Sequence, residues 1–398
     1  MRILLSFLAF SVVFYSNSQQ TITSVSDGLA SDPSVWDCIC IPPSNSNVII
    51  EHSIEMNSDW LVNGNGSITV TTNGAFIEDS DHRGILFDGI DVEFSNHGLT
   101  ELTNLAFSNG AIGHNHATLS LDTGLWIDQT STFMNHGDML DLDSTYTQGM
   151  FMNEGNYGTG DFLNEGTLDN TGYITADSML NTGVLNHSAG KIEAYDFANT
   201  GELNITGSGF LVITHDFFNS GEINLANGRD IRVANDMMNA HDSGIALIIN
   251  DGLIEVGNDF SNVDTLRGTG VFCIANNSSN LGDVKGTLDI CDNTSVSHFD
   301  FNSGNIEPSV TNCSSGCNVS VEENKIENTF EVYPNPVRNT LNIKTNLKGN
   351  IHIIDVMGNS IIEQDLEKDI DVSKLKSGVY FITLDGIDKT MTKKFIKK

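Results

Sequence analysis

The sequence predicts an all-β protein: a parallel β-solenoid (β-helix) passenger followed by a small antiparallel β-sandwich. Three observations carry this. A short phrase recurs between Asp161 and Leu266, reading DFLNEGTL, SMLNTGVL, DFANTGEL, DFFNSGEI, DMMNAHDSGI and DFSNVDTL. Its Phe or Met falls at Phe162, Met179, Phe197, Phe217, Met237 and Phe260, and a period near 20 residues marks a stacked repeat. An alternating apolar pair precedes each phrase, as with Ile192/Ala194 and Ile231/Val233; a period of two is that of a strand with one buried face. No such unit can bury its apolar side chains alone, whereas units stacked about 4.8 Å apart form a continuous core.

The elements follow in order. Residues 1–18, MRILLSFLAFSVVFYSNS, combine one basic residue with a short apolar run and read as a secretory signal peptide. No run is long enough for a spanning helix, so no transmembrane segment is expected. Residues 19–75 are expected to cap the solenoid and form its first rungs, with Trp36, Pro42-Pro43 and the β run Val48–Ile50. Residues 76–318 form the repeats. Between Asp79 and Gly149 the phrase looks looser, at Phe94-Asn96-Gly98, Phe107-Asn109-Gly110 and Phe133-Asn135-Gly137. Wider intervals imply longer loops, where a binding surface would sit. Residues 319–329 read as a linker and residues 330–398 as a separate domain.

Stacking predicts ladders. Asn164, Asn181, Asn199, Asn219, Asn239 and Asn262 should share one corner, bonding from rung to rung. The Asn-x-Gly there reads as a turn, since both residues tolerate left-handed backbone. Asp161, Asp196, Asp216, Asp236 and Asp259 each precede the Phe or Met. Such a column is either a run of corner residues bonding turn backbone or, at Asp196, Asp216, Asp236 and Asp259, a calcium site. His114 and His116 share a strand face and could hold a metal. Among the cysteines, Cys273 and Cys291 are one repeat apart and are expected to bridge. Cys313 and Cys317 close a small loop, and Cys38-Ile39-Cys40 is too short to bond to itself easily. Export to an oxidising compartment favours disulfides over zinc.

Charge narrows the function. Residues 19–329 carry 43 acidic and 7 basic side chains, a balance of −36. No nucleic acid is expected as a partner, nor an anionic polysaccharide. A lyase needs a basic proton acceptor and cations, and only Arg229 and Arg232 lie close together in sequence. A glycoside hydrolase needs paired carboxylates, but with 43 acids a pair such as Asp141 and Asp143 singles out nothing. No G-x-S-x-G or H-E-x-x-H protease motif is present. A non-catalytic role, adhesin-like or scaffolding, with a glycan or surface-protein ligand is the expectation; a polysaccharide lyase or glycoside hydrolase is the alternative.

The tail carries the most specific motifs: Tyr333-Pro334-Asn335-Pro336, Leu341-x-Ile343, Asp355-x-x-Gly358, Leu375-x-x-Gly378-Val379-Tyr380 and the closing Lys393-Lys394-Phe395-x-Lys397-Lys398. It closely resembles the C-terminal sorting domain of type IX secretion cargo. The opening module, from Asp27 to Thr72, also resembles that of exported Bacteroidota β-helix proteins. The tail resemblance implies Sec export, then recognition by the outer-membrane translocon and a sortase. It further implies removal of the tail, and a passenger released or attached at the outer cell surface.

Overall fold

The computed structural model describes residues 19–78, 83–241, 244, 246–313, 317, 331–333, 337–344, 349–355, 360–366, 369–376, 378–386 and 390–398. The signal-peptide expectation and the 319–329 linker lie outside the described residues. The chain divides into two compact units, Met1–Val319 and Ser320–Lys398. The first is a parallel β-solenoid with three faces. Face 1 is a sheet of fifteen strands, from Thr21–Thr23 through Val184–His187 to Asn305–Ile306. Faces 2 and 3 follow it in each turn. In the central turns they are two halves of one bent strand, as in Tyr173–Asn181 and Lys191–Asn199. Later they separate into short strands such as Phe210–Ile213 and Phe217–Asn219.

The sequence phrase spans the corner from face 3 to face 1. Phe197 packs inward on face 3, Asn199 occupies the corner, and Leu203 packs inward on face 1. Phe197 aligns with Phe217, which aligns with Met237, which aligns with Phe260. The Phe197 and Phe217 rings stack at 5.2 Å and 11°. Burying each such ring contributes about 2–3 kcal/mol, so the interior column holds successive turns together.

The corner glycines have a different cause from the one expected. Gly166, Gly183, Gly201 and Gly221 do not have left-handed backbone. Instead, a Cβ on Gly201 would lie 2.1 Å from the Gly183 carbonyl oxygen one rung below. Glycine is needed because successive rungs approach too closely for any side chain. The looser phrase between Asp79 and Gly149 also resolves. Phe94 and Phe133 belong to face 1, both in register with Gly113, whereas Phe107 lies on face 3. Two different corners carry the same Phe-x-Asn phrase. The wide intervals come from that mixture, and among the described residues no long loop interrupts these rungs.

Both ends are closed. At the N-terminal end the fully buried Trp36 follows a short 3-10 turn, Pro33–Val35, and its indole N–H donates to the Ala30 carbonyl at 3.0 Å. Asp32 caps that turn by accepting from the Ser34 N–H at 2.9 Å. Cys38 and Cys40 do form a disulfide, contrary to expectation. The left-handed Ile39 between them, at φ 54°, turns the chain so that both side chains meet. At the other end Cys273 and Cys291 stack in register on neighbouring rungs, as expected, but do not bond to each other. Cys273 pairs with Cys317 and Cys291 with Cys313. Parallel Cβ vectors one rung apart, about 4.8 Å, exceed the usual Cβ–Cβ distance of a disulfide, roughly 3.5–4.5 Å. The bonds instead tie a returning segment across the outside of the last turns.

The C-terminal unit has a three-stranded antiparallel sheet (Glu331–Tyr333, Thr340–Lys344, Asp369–Asp371) and a four-stranded one (Ser360–Asp365, Gly349–Asp355, Gly378–Gly386, Thr390–Lys397). They share a core of Leu341, Ile343, Ile351, Ile353, Ile370, Ile382 and Phe395.

Candidate functional site

Asparagines run up the inside of two corners, all fully buried except the exposed Asn302 at the C-terminal end of one ladder. At the face 3 to face 1 corner, Asn164, Asn181, Asn199, Asn219, Asn239, Asn262, Asn280 and Asn302 bond head to tail. Each Nδ2 donates to the next Oδ1 at 2.7–2.8 Å. The second N–H reaches backbone, as from Asn181 to the Glu202 carbonyl at 3.0 Å. The other ladder joins Asn96, Asn115, Asn135, Asn153 and Asn170 at the face 1 to face 2 corner. Sequence reasoning missed it as a separate ladder because its Phe-x-Asn mimics the first. His187 ends it: Nδ1 accepts from Asn170 at 3.0 Å and Nε2 donates to the Phe210 carbonyl at 2.9 Å. Burial holds the His187 pKa below that of an ordinary histidine. These ladders are structural, since the amides are tied to one another and to backbone; among the buried side-chain atoms of the described residues only Asn164 Oδ1, at the start of its ladder, and the Thr147 hydroxyl one rung below lack a partner.

The aspartate column is also bonded. Asp196, Asp216 and Asp236 each accept the backbone N–H of the next aspartate, at 3.2, 3.2 and 3.1 Å. Asp216 and Asp236 also accept the side-chain amides of Asn235 and Asn258 at 2.6 Å. Asp259 takes both donors of Asn277 at 3.0 Å. His215 Nδ1 lies 2.7 Å from Asp196; that hydrogen bond raises the imidazole pKa and lowers the carboxyl pKa. Ser178 separates Asp161 from this run. Each aspartate from Asp196 to Asp259 thus bonds backbone or side-chain amides of the next rung.

His114 and His116 are not alone. His97, His116 and His136 occupy the position after Asn96, Asn115 and Asn135 on three successive rungs, with parallel rings 4.6 and 4.8 Å apart. His114 stacks against His116 and His136 at 5.8 and 6.3 Å. The arginine pair is not a free cationic groove: Arg232 is bonded to Glu255 at 3.0 Å and Asp230 at 3.3 Å. Asp141 points into the solenoid rather than to solvent, accepting from the Thr145 hydroxyl at 2.8 Å beside the buried Tyr157. Burial raises its pKa to about 6. It is sealed from any polymeric substrate.

One outward column had no sequence signal. On face 3, residues pointing away from the core align in register as Leu61, Leu86, Ala106, Trp126, Tyr146, Leu163, Leu180, Ala198, Phe218 and Met238. Trp126, Phe218 and Met238 are 37–41% exposed. At about 4.8 Å per rung the column is roughly 43 Å long. Its members are 17–25 residues apart, so no local pattern betrays it.

In the tail, Pro334, Asn335, Pro336 and Gly358 lie outside the described residues, and Asp355 ends the strand Gly349–Asp355. Gly378 starts the strand Gly378–Gly386. Tyr380 packs on Phe395 at 5.6 Å and donates to the Lys376 carbonyl at 3.0 Å, while Leu375 packs on the same core. Lys393 and Lys394 are exposed on the last strand. The aromatic and apolar motif positions thus build the domain, and the lysines are presented at its surface.

No helix among the described residues is long and apolar enough to cross a membrane. No curated protein and no solved structure matches the chain. Residues 331–398 match the family model of the secretion system C-terminal sorting domain. Such a tail directs export from the cell to its surface or surroundings and engages the type IX secretion machinery. Carrying that domain behind its solenoid, the protein is a type IX secretion cargo with a β-helix passenger.

Proposed function

We propose that the exported passenger is a non-catalytic, adhesin-like binding protein that holds neutral glycan chains along face 3. The outward column through Trp126, Tyr146, Phe218 and Met238 carries this reading. Sugar rings present apolar C–H faces that stack on aromatic and aliphatic side chains, and their hydroxyls suit the surrounding amides and carboxylates. A regular flat ribbon favours a polymer over a small molecule, and the charge of −36 disfavours an anionic one. The enzyme alternative has less support: Arg232 is ion-paired and Asp141 faces inward. The tail would meet an outer-membrane translocon and a sortase, placing the passenger at the outer surface.

The test is binding of the full secreted chain to arrayed neutral glycans, with product release followed in parallel, with and without calcium. Saturable binding that falls at least about tenfold in Trp126→Ala/Phe218→Ala, with no products, is the expected result. Released oligosaccharide would overturn it, as would binding indifferent to that double substitution.

A further inference from the structure

We propose that His114, His116 and His136 form a binding site for a single transition-metal dication of the Zn²⁺, Ni²⁺ or Cu²⁺ class. The three residues each offer a ring nitrogen, and these atoms lie within 4.8 Å of one another. A tetrahedral ion with bonds of about 2.0–2.1 Å needs its nitrogens roughly 3.4 Å apart. His116 and His136 are exposed and His114 half-buried, so small side-chain rotations close that gap without moving backbone. The backbone is fixed by the ladder directly beneath: Asn115 Nδ2 donates to Asn135 Oδ1 at 2.8 Å.

The surroundings suit a metal. His136 Nδ1 bonds the Glu154 carboxylate at 2.8 Å, and Glu154 occupies the next rung of the same column. A carboxylate on one imidazole nitrogen orients the ring and leaves Nε2 to ligate, the usual support for a metal-bound histidine. His97 continues the stack on the other side, bonded through Nε2 to the Ser95 hydroxyl at 3.0 Å. Burial first, and then neighbouring imidazoles, hold the His116 pKa below that of an ordinary histidine. Burial does the same to His114, against the opposing charge of Glu93. Imidazole donors select first-row transition metals over calcium or magnesium, which take oxygen. Because the ligands come from two successive rungs, the site exists only in the folded solenoid.

The test uses the full secreted chain, purified without a histidine tag and stripped of metal, titrated with Zn²⁺ and Ni²⁺ against a chromophoric chelator. One dication per chain is expected, with affinity falling between pH 7.5 and 5.5 and no competition from Ca²⁺. His116→Ala/His136→Ala should lower affinity by about 100-fold or more, while His215→Ala leaves it unchanged. Circular dichroism melting establishes that each variant is folded. Cobalt substitution of the wild-type chain provides a variant-free readout, its visible bands reporting nitrogen coordination. Absent saturable binding, binding unchanged in the double variant, or binding lost in His215→Ala instead would each overturn the proposal.

Discussion

A single asparagine in the ladder holds two bonds along the solenoid axis. Asn199 accepts from Asn181 at 2.7 Å and donates to Asn219 at 2.8 Å, wholly buried. Asn199→Ala leaves a donor and an acceptor stranded and should cost about 2–5 kcal/mol in urea unfolding. Asn224→Ala, in the half-buried outward row with Asn204, should stay within about 0.5 kcal/mol. Asp141 predicts a pH effect of definite sign. Its carboxyl titrates near 6 in the fold against 3.8 as a free side chain, so the folded state holds a proton that the unfolded chain has released. Its favourable contribution is complete below about pH 4 and is lost as pH rises through 6, leaving a deficit of about 3 kcal/mol. Asp141→Asn should therefore raise the urea midpoint at pH 7.5 and change it little at pH 4, the Thr145 hydroxyl turning to accept. In the sequence Asp141 stands out only as half of a carboxylate pair with Asp143, one among 43 acids. Its parity along the strand was legible, but which parity faces the core was not.

At the scale of the element, the corners were the most legible feature and also the most misread. The Asn-x-Gly spacing located the face 3 to face 1 turn in the phrases at Asn164, Asn181, Asn199 and Asn219. It could not show that Gly201 is demanded by the Gly183 carbonyl one rung below, a contact between residues 18 apart. Nor could it separate the corner at Asn96 from the one at Asn109, because both follow a phenylalanine. The closing strap shows the same limit. One-repeat spacing correctly placed Cys273 beside Cys291, but the partners lie on a returning segment whose path no periodicity describes. Replacing Cys291 and Cys313 by serine should cost about 2–4 kcal/mol. Because each turn contacts only its neighbours, the loss should be local. Limited proteolysis should then cut first near residues 290–312, with the turns before Phe272 remaining resistant. Cleavage spread evenly along the solenoid would contradict this one-dimensional picture.

For the whole molecule, the period near 20 residues and the ordered tail motifs were enough to read a solenoid passenger and its sorting domain. The candidate surfaces were less legible. The Trp126 and His116 columns collect one residue from each turn, so their members are separated in sequence by a full rung and merge only when the chain is wound. Winding also gives the passenger a direction. In both ladders every amide donates toward the C-terminal end, from Asn96 to His187 and from Asn164 to Asn302. Turning one amide over would set nitrogen against nitrogen and oxygen against oxygen, so no member can reverse alone. The orientation of the ladder from Asn96 to His187 is pinned at both ends: Asn96 Oδ1 is taken by Gly98 and Thr100, and His187 Nδ1 can only accept. Each ladder is a wire of aligned dipoles, and the two add. The passenger is an electrical arrow as well as a rod, and two copies abutting end to end would meet with attracting poles in one orientation and repelling poles in the other.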